Sequence, residues 1–352
     1  MFSRAALASV VLAACGPGPS SSPPDARRPD APDVDAPIDA PPSDCDYTEQ
    51  SDATNDDTTD PPGSPEQTGI TIGARTVVCG KFEHTHFDGD ITADVDSYVF
   101  TVPSETDVLV RVHGAGAEVI EYAGVDVYGG PSFSTTIGSA TFYGDHGVVA
   151  VHLPAGTYEL AAFALSSAPL TSTVAYKLEI TTDTPATRCP EIMTGGFAEA
   201  NDGANNNGND VVTIPSGAPP ALTASTADMP EPTGITLDVG NTRVTGSVAD
   251  VATTDHYEDK DTFAFSTGAS TNELAVRLTW PGSGANLDFL LFEANDPSPV
   301  FRAIAMSTTG PELRTHAVKP NTNYWLLVGA KTGSTGLPVD YTASLCGATF
   351  TP

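Results

Sequence analysis

The sequence predicts an all-β protein: two tandem antiparallel β-sandwich domains behind a disordered tether. Three observations predict it. Apolar residues alternate with small or polar ones in short runs. Turn-forming steps such as Pro281-Gly282 and Pro320-Asn321 punctuate those runs. One pattern of residues also occurs twice along the chain, at an offset of 165 or 166 positions.

Composition supports this class and excludes others. Only 17% of the 352 residues are charged, and Gly and Pro number 32 and 30, which suits many short strands joined by turns. The formal net charge is −30. Such a field repels nucleic acid and anionic headgroups, so a nucleic-acid partner is not expected. No stretch after residue 15 is apolar and long enough to span a bilayer. Any link to a membrane therefore comes from the N-terminus.

Residues 1–14 read as a signal peptide: Arg4 supplies the positive end and Ala5–Val11 a short apolar core. Leu12-Ala13-Ala14-Cys15 looks like a lipobox, with Cys15 as the thiol that takes the lipid. Acyl chains bury about 0.8 kcal/mol per methylene, enough for several chains to anchor a protein to a membrane. Gly16 rather than Asp follows the cysteine, which by resemblance to lipoprotein sorting favours the outer membrane or cell surface. Residues 15–44 form the expected tether. They are rich in Pro, Asp, Ala and Ser, with repeated Pro-Asp-Ala steps, and lack the apolar side chains needed to offset ordering. In a polyproline conformation the tether would reach on the order of 90 Å. It resembles the tethers of myxobacterial-type lipoproteins.

The repeat organises the rest, with expected domains at 45–187 and 188–352. Pro65-Glu66-Gln67-Thr68-Gly69-Ile70-Thr71 recurs as Pro230-Glu231-Pro232-Thr233-Gly234-Ile235-Thr236. Asp94-Val95-Asp96-Ser97-Tyr98-Val99-Phe100 recurs as Asp259-Lys260-Asp261-Thr262-Phe263-Ala264-Phe265. Val108–Val112 matches Leu274–Leu278, the run at Pro154 matches that at Pro320, and Tyr176 matches Tyr341. Period-2 alternation at Leu274, Val276, Leu278 and Trp280, and at Tyr324, Leu326 and Val328, predicts strands with one buried and one solvated face. Seven to nine short strands per domain are expected.

These motifs carry a family resemblance. An acidic start, a Thr-Gly-Ile-Thr strand, an Asp-x-Asp-x-aromatic-x-Phe strand, the Asp288–Phe292 strand, Pro-Ala-Gly-Thr-Tyr and a closing Tyr strand follow one another. The succession resembles the bacterial pre-peptidase C-terminal domain, which is similar to the collagen-binding domain of clostridial collagenase. The resemblance implies a secreted, jelly-roll-like β-sandwich, often appended to peptidases and sometimes binding matrix polymers or calcium.

By that resemblance, Glu199, Asn201, Asp202, Asp259 and Asp261 are candidate calcium ligands in the second copy. Glu49, Asp52, Asp94 and Asp96 are their counterparts in the first. Calcium takes six to eight oxygens, and clustered carboxylates supply them. Glu49-Gln50-Ser51-Asp52 departs from the acidic Glu-x-Asn-Asp pattern of the second copy. The run Asn201–Asp210 lacks EF-hand spacing and reads as a polar loop.

Cys45, Cys79, Cys189 and Cys346 form an even set in an exported chain. Of three connectivities, Cys45–Cys79 and Cys189–Cys346 keep each bridge inside one repeat. No catalytic constellation emerges, and an enzyme is not expected. His84 and His86 lie beside Asp88 and Asp90 without a zinc-peptidase motif. Asp145, His146 and His152 have no nucleophile elbow to complete them, and no phosphate-cradling loop indicates a nucleotide. Trp325 has Glu159 as its counterpart and is expected to face outward as part of a contact surface. The expected function is a non-catalytic binding or adhesion lipoprotein with a polymer or protein partner. The alternative is a structural or chaperone-like accessory of exported peptidases or envelope assembly.

Overall fold

The computed structural model describes residues 44–50, 65–82, 92–115, 123–165, 173–200, 212–213, 221–222, 230–251, 255–282, 284–294, 299–303 and 310–352. The signal peptide, Cys15 and the tether through Ser43 lie outside these residues, as do Asp52, His84, His86, Asn201 and Asp202. Among the described residues no helix is long and apolar enough to cross a membrane.

The all-β expectation holds. The first half contains β1 (Tyr47–Thr48), β2 (Glu66–Thr71), β3 (Arg75–Phe82), β4 (Thr92–Val102) and β5 (Thr106–Gly114). It continues with β6 (Ala123–Gly129), β7 (Thr135–Thr141), β8 (His146–Leu153), β9 (Gly156–Leu165) and β10 (Val174–Asp183). One helical turn, α1 (Pro185–Arg188), follows. The second half contains β11 (Phe197–Ala198), a small hairpin of β12 (Val212–Thr213) and β13 (Ala221–Leu222), β14 (Glu231–Leu237), β15 (Gly240–Val248) and β16 (Tyr257–Thr267). Then come β17 (Glu273–Thr279), β18 (Leu287–Glu293), β19 (Pro299–Ala303), β20 (Glu312–Ala317), β21 (Asn323–Lys331) and β22 (Val339–Ala348).

The repeat in the sequence is a repeat of sheet order. The first half forms sheets β1-β3-β10-β5-β8 and β2-β4-β9-β6-β7. The second forms β11-β15-β22-β17-β20 and β14-β16-β21-β18-β19. Each half has one main apolar interior drawn from both of its sheets. Phe82, Val110 and Tyr176 meet Phe100, Val125 and Leu160 in the first. Val244, Val276 and Tyr341 meet Phe263, Phe289 and Leu326 in the second. Burying such side chains is worth about 1.5–3 kcal/mol each, and this is what closes each half on itself.

Two expectations are corrected. The first is that every strand pair is antiparallel. β1 pairs parallel with β3, β2 with β4, β11 with β15 and β14 with β16. The early strands alternate between the two sheets, apart from the β12–β13 hairpin, so these parallel neighbours are not consecutive in the chain. The second is that each strand has a solvated face. The edge strand β2 does alternate, but every residue of β6 is buried, as are Asp94–Phe100 in β4. Secondary apolar clusters, such as Val95, Tyr128 and Ala161 with Phe133 and Phe163, cover the outer faces.

The repeated Thr-Gly-Ile-Thr motif has a local cause. The ladder of β14 on β16 shifts register between Pro232 and Thr236, and Gly234 takes a φ of 66° there; Gly69 takes 70° at the matching shift in β2. Glycine accepts that conformation at no steric cost. The Thr233 hydroxyl then donates to the Ala264 carbonyl at 2.8 Å, which holds the bulged edge to the sheet.

Both expected disulfides are present. Cys45–Cys79 ties β1 to β3, and Cys189–Cys346 pins the segment after α1 against β22. The register explains why the halves are stapled differently. Cys79 and Thr245 occupy matching places opposite β1 and β11, and Thr245 there donates a hydroxyl hydrogen bond to the Phe197 carbonyl instead.

The halves also contact one another. Arg111 on β5 makes a two-pronged ion pair with Glu273 at the start of β17, with Nε–Oε1 at 2.6 Å and Nη2–Oε2 at 2.9 Å. His146 Nε2 lies 3.2 Å from Glu273 Oε1, and its Nδ1 2.7 Å from Asp145. The Phe350 ring stacks under the Arg111 guanidinium and beside His113 and His146. Nearby, Tyr143 donates to Glu293, and Lys319 sits over the Tyr143 ring while pairing with the same carboxylate. Leu109 and Val148 close on Ala317.

Candidate functional site

The second-half acidic group is built by β16 of one sheet, the residue that follows β11 of the other, and a crossing tyrosine. Asp259 and Asp261 stand two residues apart on β16, where the ladder to β21 shifts register between Tyr257 and Lys260, and the charge of Asp259 bears on Asp261. Both are fully buried. Tyr341 on β22 crosses the interior and donates its hydroxyl to Asp261 Oδ2 at 2.6 Å. Asp259 Oδ2 accepts from the Ala249 amide at 2.6 Å. Glu199, just beyond β11, accepts from the Ser247 amide at 3.2 Å. Its carboxylate and the Tyr341 hydroxyl both press on Gly246, where a Cβ would lie 2.7 Å from Glu199 Oε2 and 2.4 Å from the hydroxyl. Only glycine leaves room for this approach.

The electrostatics of the group are unfavourable to three negative charges. Burial pushes the Asp261 carboxyl well above the usual range, and the charges of Glu199 and Asp259 push it further. Among the described residues, Asp261 Oδ1 is buried without a hydrogen-bond partner. Burial, with the neighbouring charges of Asp261 and Glu199, likewise pushes the Tyr341 hydroxyl up. The group therefore calls for a cation or a proton.

Glu231 is a member that sequence reasoning passed over. It is buried on β14, and its Oε1 accepts from the Ala200 amide at 2.9 Å, which positions the chain just before Asn201. Its Oε2 is buried with no hydrogen-bond partner among the described residues. The signal was available: Glu66 is its repeat counterpart and accepts from the Gln50 amide at 3.2 Å.

The first-half group is chemically different. Tyr176 donates to Asp96 Oδ2 at 2.7 Å, and its hydroxyl lies 2.7 Å from that of Tyr98. The Tyr98 hydroxyl stands beside Gly80, where a Cβ would meet it at 2.5 Å, as Glu199 stands beside Gly246 in the second half. Phe263 replaces Tyr98 in the second half, so no hydroxyl competes for that place. Glu49 Oε2 accepts from the Lys81 amide at 2.8 Å. A neutral hydroxyl thus fills in the first half the position that a carboxylate fills in the second.

Among the described residues, no three His, Cys, Asp or Glu side chains are gathered closely enough to hold a metal by themselves. Glu199, Asp259 and Asp261 share one electrostatic environment, and the remaining expected ligands Asn201 and Asp202 lie outside the described residues. His146 is buried at the contact between the halves, whereas the exposed His152 pairs with Glu105 and Asp107.

No protein-family model and no curated protein matches the chain. Solved structures do. The pre-peptidase C-terminal domain of collagenase from Bacillus anthracis is similar at 17% identity, with a TM-score of 0.25, over 33% of this chain and 96% of that one. PliG, a periplasmic inhibitor of g-type lysozyme from Aeromonas hydrophila, is similar at 18% identity and TM-score 0.21, over 32% of this chain and 95% of that one. Tandem CBM51 modules of a family 98 glycoside hydrolase from Streptococcus pneumoniae are similar at 9% identity and TM-score 0.23, over 74% and 82%. At these scores the functional reading rests on this chain's own residues.

Trp325 is half-buried on β21. It packs against Tyr257, Leu290, Phe292 and Leu327 and lines a surface cavity of about 400 Å³. Pro232, Ile235, Phe265 and Tyr324 are among its other apolar lining residues.

Proposed function

We propose that this chain is a non-catalytic binding lipoprotein held at the outer membrane or cell surface. Two modules, 45–187 and 188–352, would be jelly-roll-like sandwiches of the pre-peptidase C-terminal type. The matching strand order and paired interiors of the two halves support that reading. The observation that carries a binding role is the Trp325 cavity: a large aromatic surface beside a bulged sheet edge offers contact area at low entropic cost to a polymer or protein partner. Trp325→Ala is expected to weaken retention of the secreted chain on its insoluble partner, sought among collagen, peptidoglycan and envelope-protein fractions, by roughly tenfold or more. Unchanged retention on every fraction that holds the parent protein counts against the cavity.

The anchor follows from Cys15. Cys15→Ala is expected to move the protein from the membrane fraction to the soluble one, and continued membrane association refutes lipidation.

Calcium would join the second module at Glu199, Asp259 and Asp261, with Asn201 and Asp202. The burial of Asp261 Oδ1, which has no hydrogen-bond partner among the described residues, and the crowding of negative charge fit a cation. Calcium would supply the positive charge that lets these carboxylates stay ionised away from water. Without it, the raised Asp261 pKa has a definite sign: its contribution is present below the ordinary value of 3.8 and is lost as pH rises toward the folded value. At neutral pH, calcium should therefore raise the melting temperature of the parent protein. Asp261→Asn should melt higher than the parent in chelator and respond less to calcium. Identical melting of the parent in calcium and in chelator removes the ion from the proposal.

A further inference from the structure

The two halves place equivalent arginines on equivalent outer sheet faces but satisfy them differently. Arg111 lies opposite Glu179 across the β5–β10 ladder, and Arg277 lies opposite Ser344 across β17–β22. Arg111 has Glu179 at 3.7 Å, both oxygens of Glu273 within 2.9 Å, and the Phe350 ring against its guanidinium. Arg277 faces Ser344 instead of a carboxylate across the ladder, and the Ser344 hydroxyl is taken by the Ile192 amide at 3.1 Å. Among the described residues its one hydrogen bond is a long one, Nη1 to the Cys189 carbonyl at 3.5 Å, and its Nε is buried with no partner. A buried guanidinium nitrogen left so is costly, and a carboxylate is its best match in shape and charge.

That arginine borders a cavity of about 460 Å³, lined also by Trp280, Tyr341, Thr279, Glu191 and Asp340. We propose that this cavity receives an acidic side chain of a protein partner, a Glu or Asp flanked by an aromatic residue. The first half is the precedent: the matching arginine already takes a glutamate and a phenylalanine supplied by protein. Trp280, which lines the cavity, offers apolar contact for the ring. Glu191 and Asp340 are exposed at the rim, where they accept backbone amides of the partner and repel polyanions. This surface is separate from the Trp325 cavity and stands or falls independently of it.

The test uses the secreted chain with Trp325→Phe, which leaves Trp280 as the only tryptophan. N-acetyl-glutamyl-phenylalaninamide, its glutaminyl analogue, glutarate and polygalacturonate are titrated against Trp280 emission. The glutamyl peptide is expected to give a saturable change, with the glutaminyl analogue roughly tenfold weaker. Arg277→Gln should abolish the difference between the two peptides. Glu191→Gln, an exposed change that leaves the core intact, should tighten glutamyl binding by removing a like charge. Equal response to both peptides, no saturation by either, or glutarate or polygalacturonate matching the glutamyl peptide overturns the proposal.

Discussion

Glu273→Ala is expected to lower the unfolding free energy by about 3–5 kcal/mol, because it strips a buried guanidinium of its principal partner. Glu273 is 3% exposed, and it holds both Arg111 and His146. Burial by itself would raise its pKa, but hydrogen bonds from Arg111 and His146 and their charges outweigh it and hold the carboxyl at about 2. A depressed acid stabilises above its unfolded value, here 4.5, and that stability is lost as pH falls through about 2. The gap corresponds to roughly 3 kcal/mol. Arg111 keeps Glu179 at 3.7 Å, which places the loss toward the lower end. Urea denaturation of the single and double variants with Arg111→Ala measures the coupling. Because the pair joins the two halves, the single variant should also begin to unfold in two steps. A coupling below about 0.5 kcal/mol would show that the contact is incidental.

Removal of the Cys189–Cys346 bridge by paired serine substitutions is expected to cost about 5 kcal/mol, against about 4 kcal/mol for Cys45–Cys79. The bridges close sequence separations of 157 and 34 residues, and the longer loop loses more entropy when the chain is unfolded and linked. Lost packing adds to the cost at the longer bridge. Cys189 and Cys346 pack with Ala275 and Leu313, and the Cys189 carbonyl accepts from Arg277, so the covering segment loosens with the bridge. Denaturation under non-reducing conditions gives both values. A larger loss from the Cys45–Cys79 pair would mean that something other than loop closure sets the order of the two bridges.

The duplication was legible because strand spacing and core residues both repeat. Tyr176 and Tyr341 align in sequence, and both end as buried hydroxyls bound to Asp96 and Asp261. The bridge partners followed from keeping each pair within a repeat. Other features left no comparable trace. Period-2 alternation suggested strands with one solvated face, but satellite clusters cover the outer faces of β4 and β6, and a strand covered on both sides has no polar face to betray it. Parallel edges escaped because run length and alternation are the same for either direction. Glu231 escaped because its role depends on the Ala200 amide, 31 residues away.

From the sequence alone come the strand-rich class, the twofold pattern, the cysteine pairs and the places where acidic residues cluster, because these depend on the order of side chains along the chain. Tertiary structure decided which acids are buried, which arginine is paired, and that Tyr98 rather than a carboxylate fills the space beside Gly80. Those outcomes turn on distances of a few ångströms and on the local exclusion of water, which set the strength of every charge interaction and which spacing along a chain does not encode.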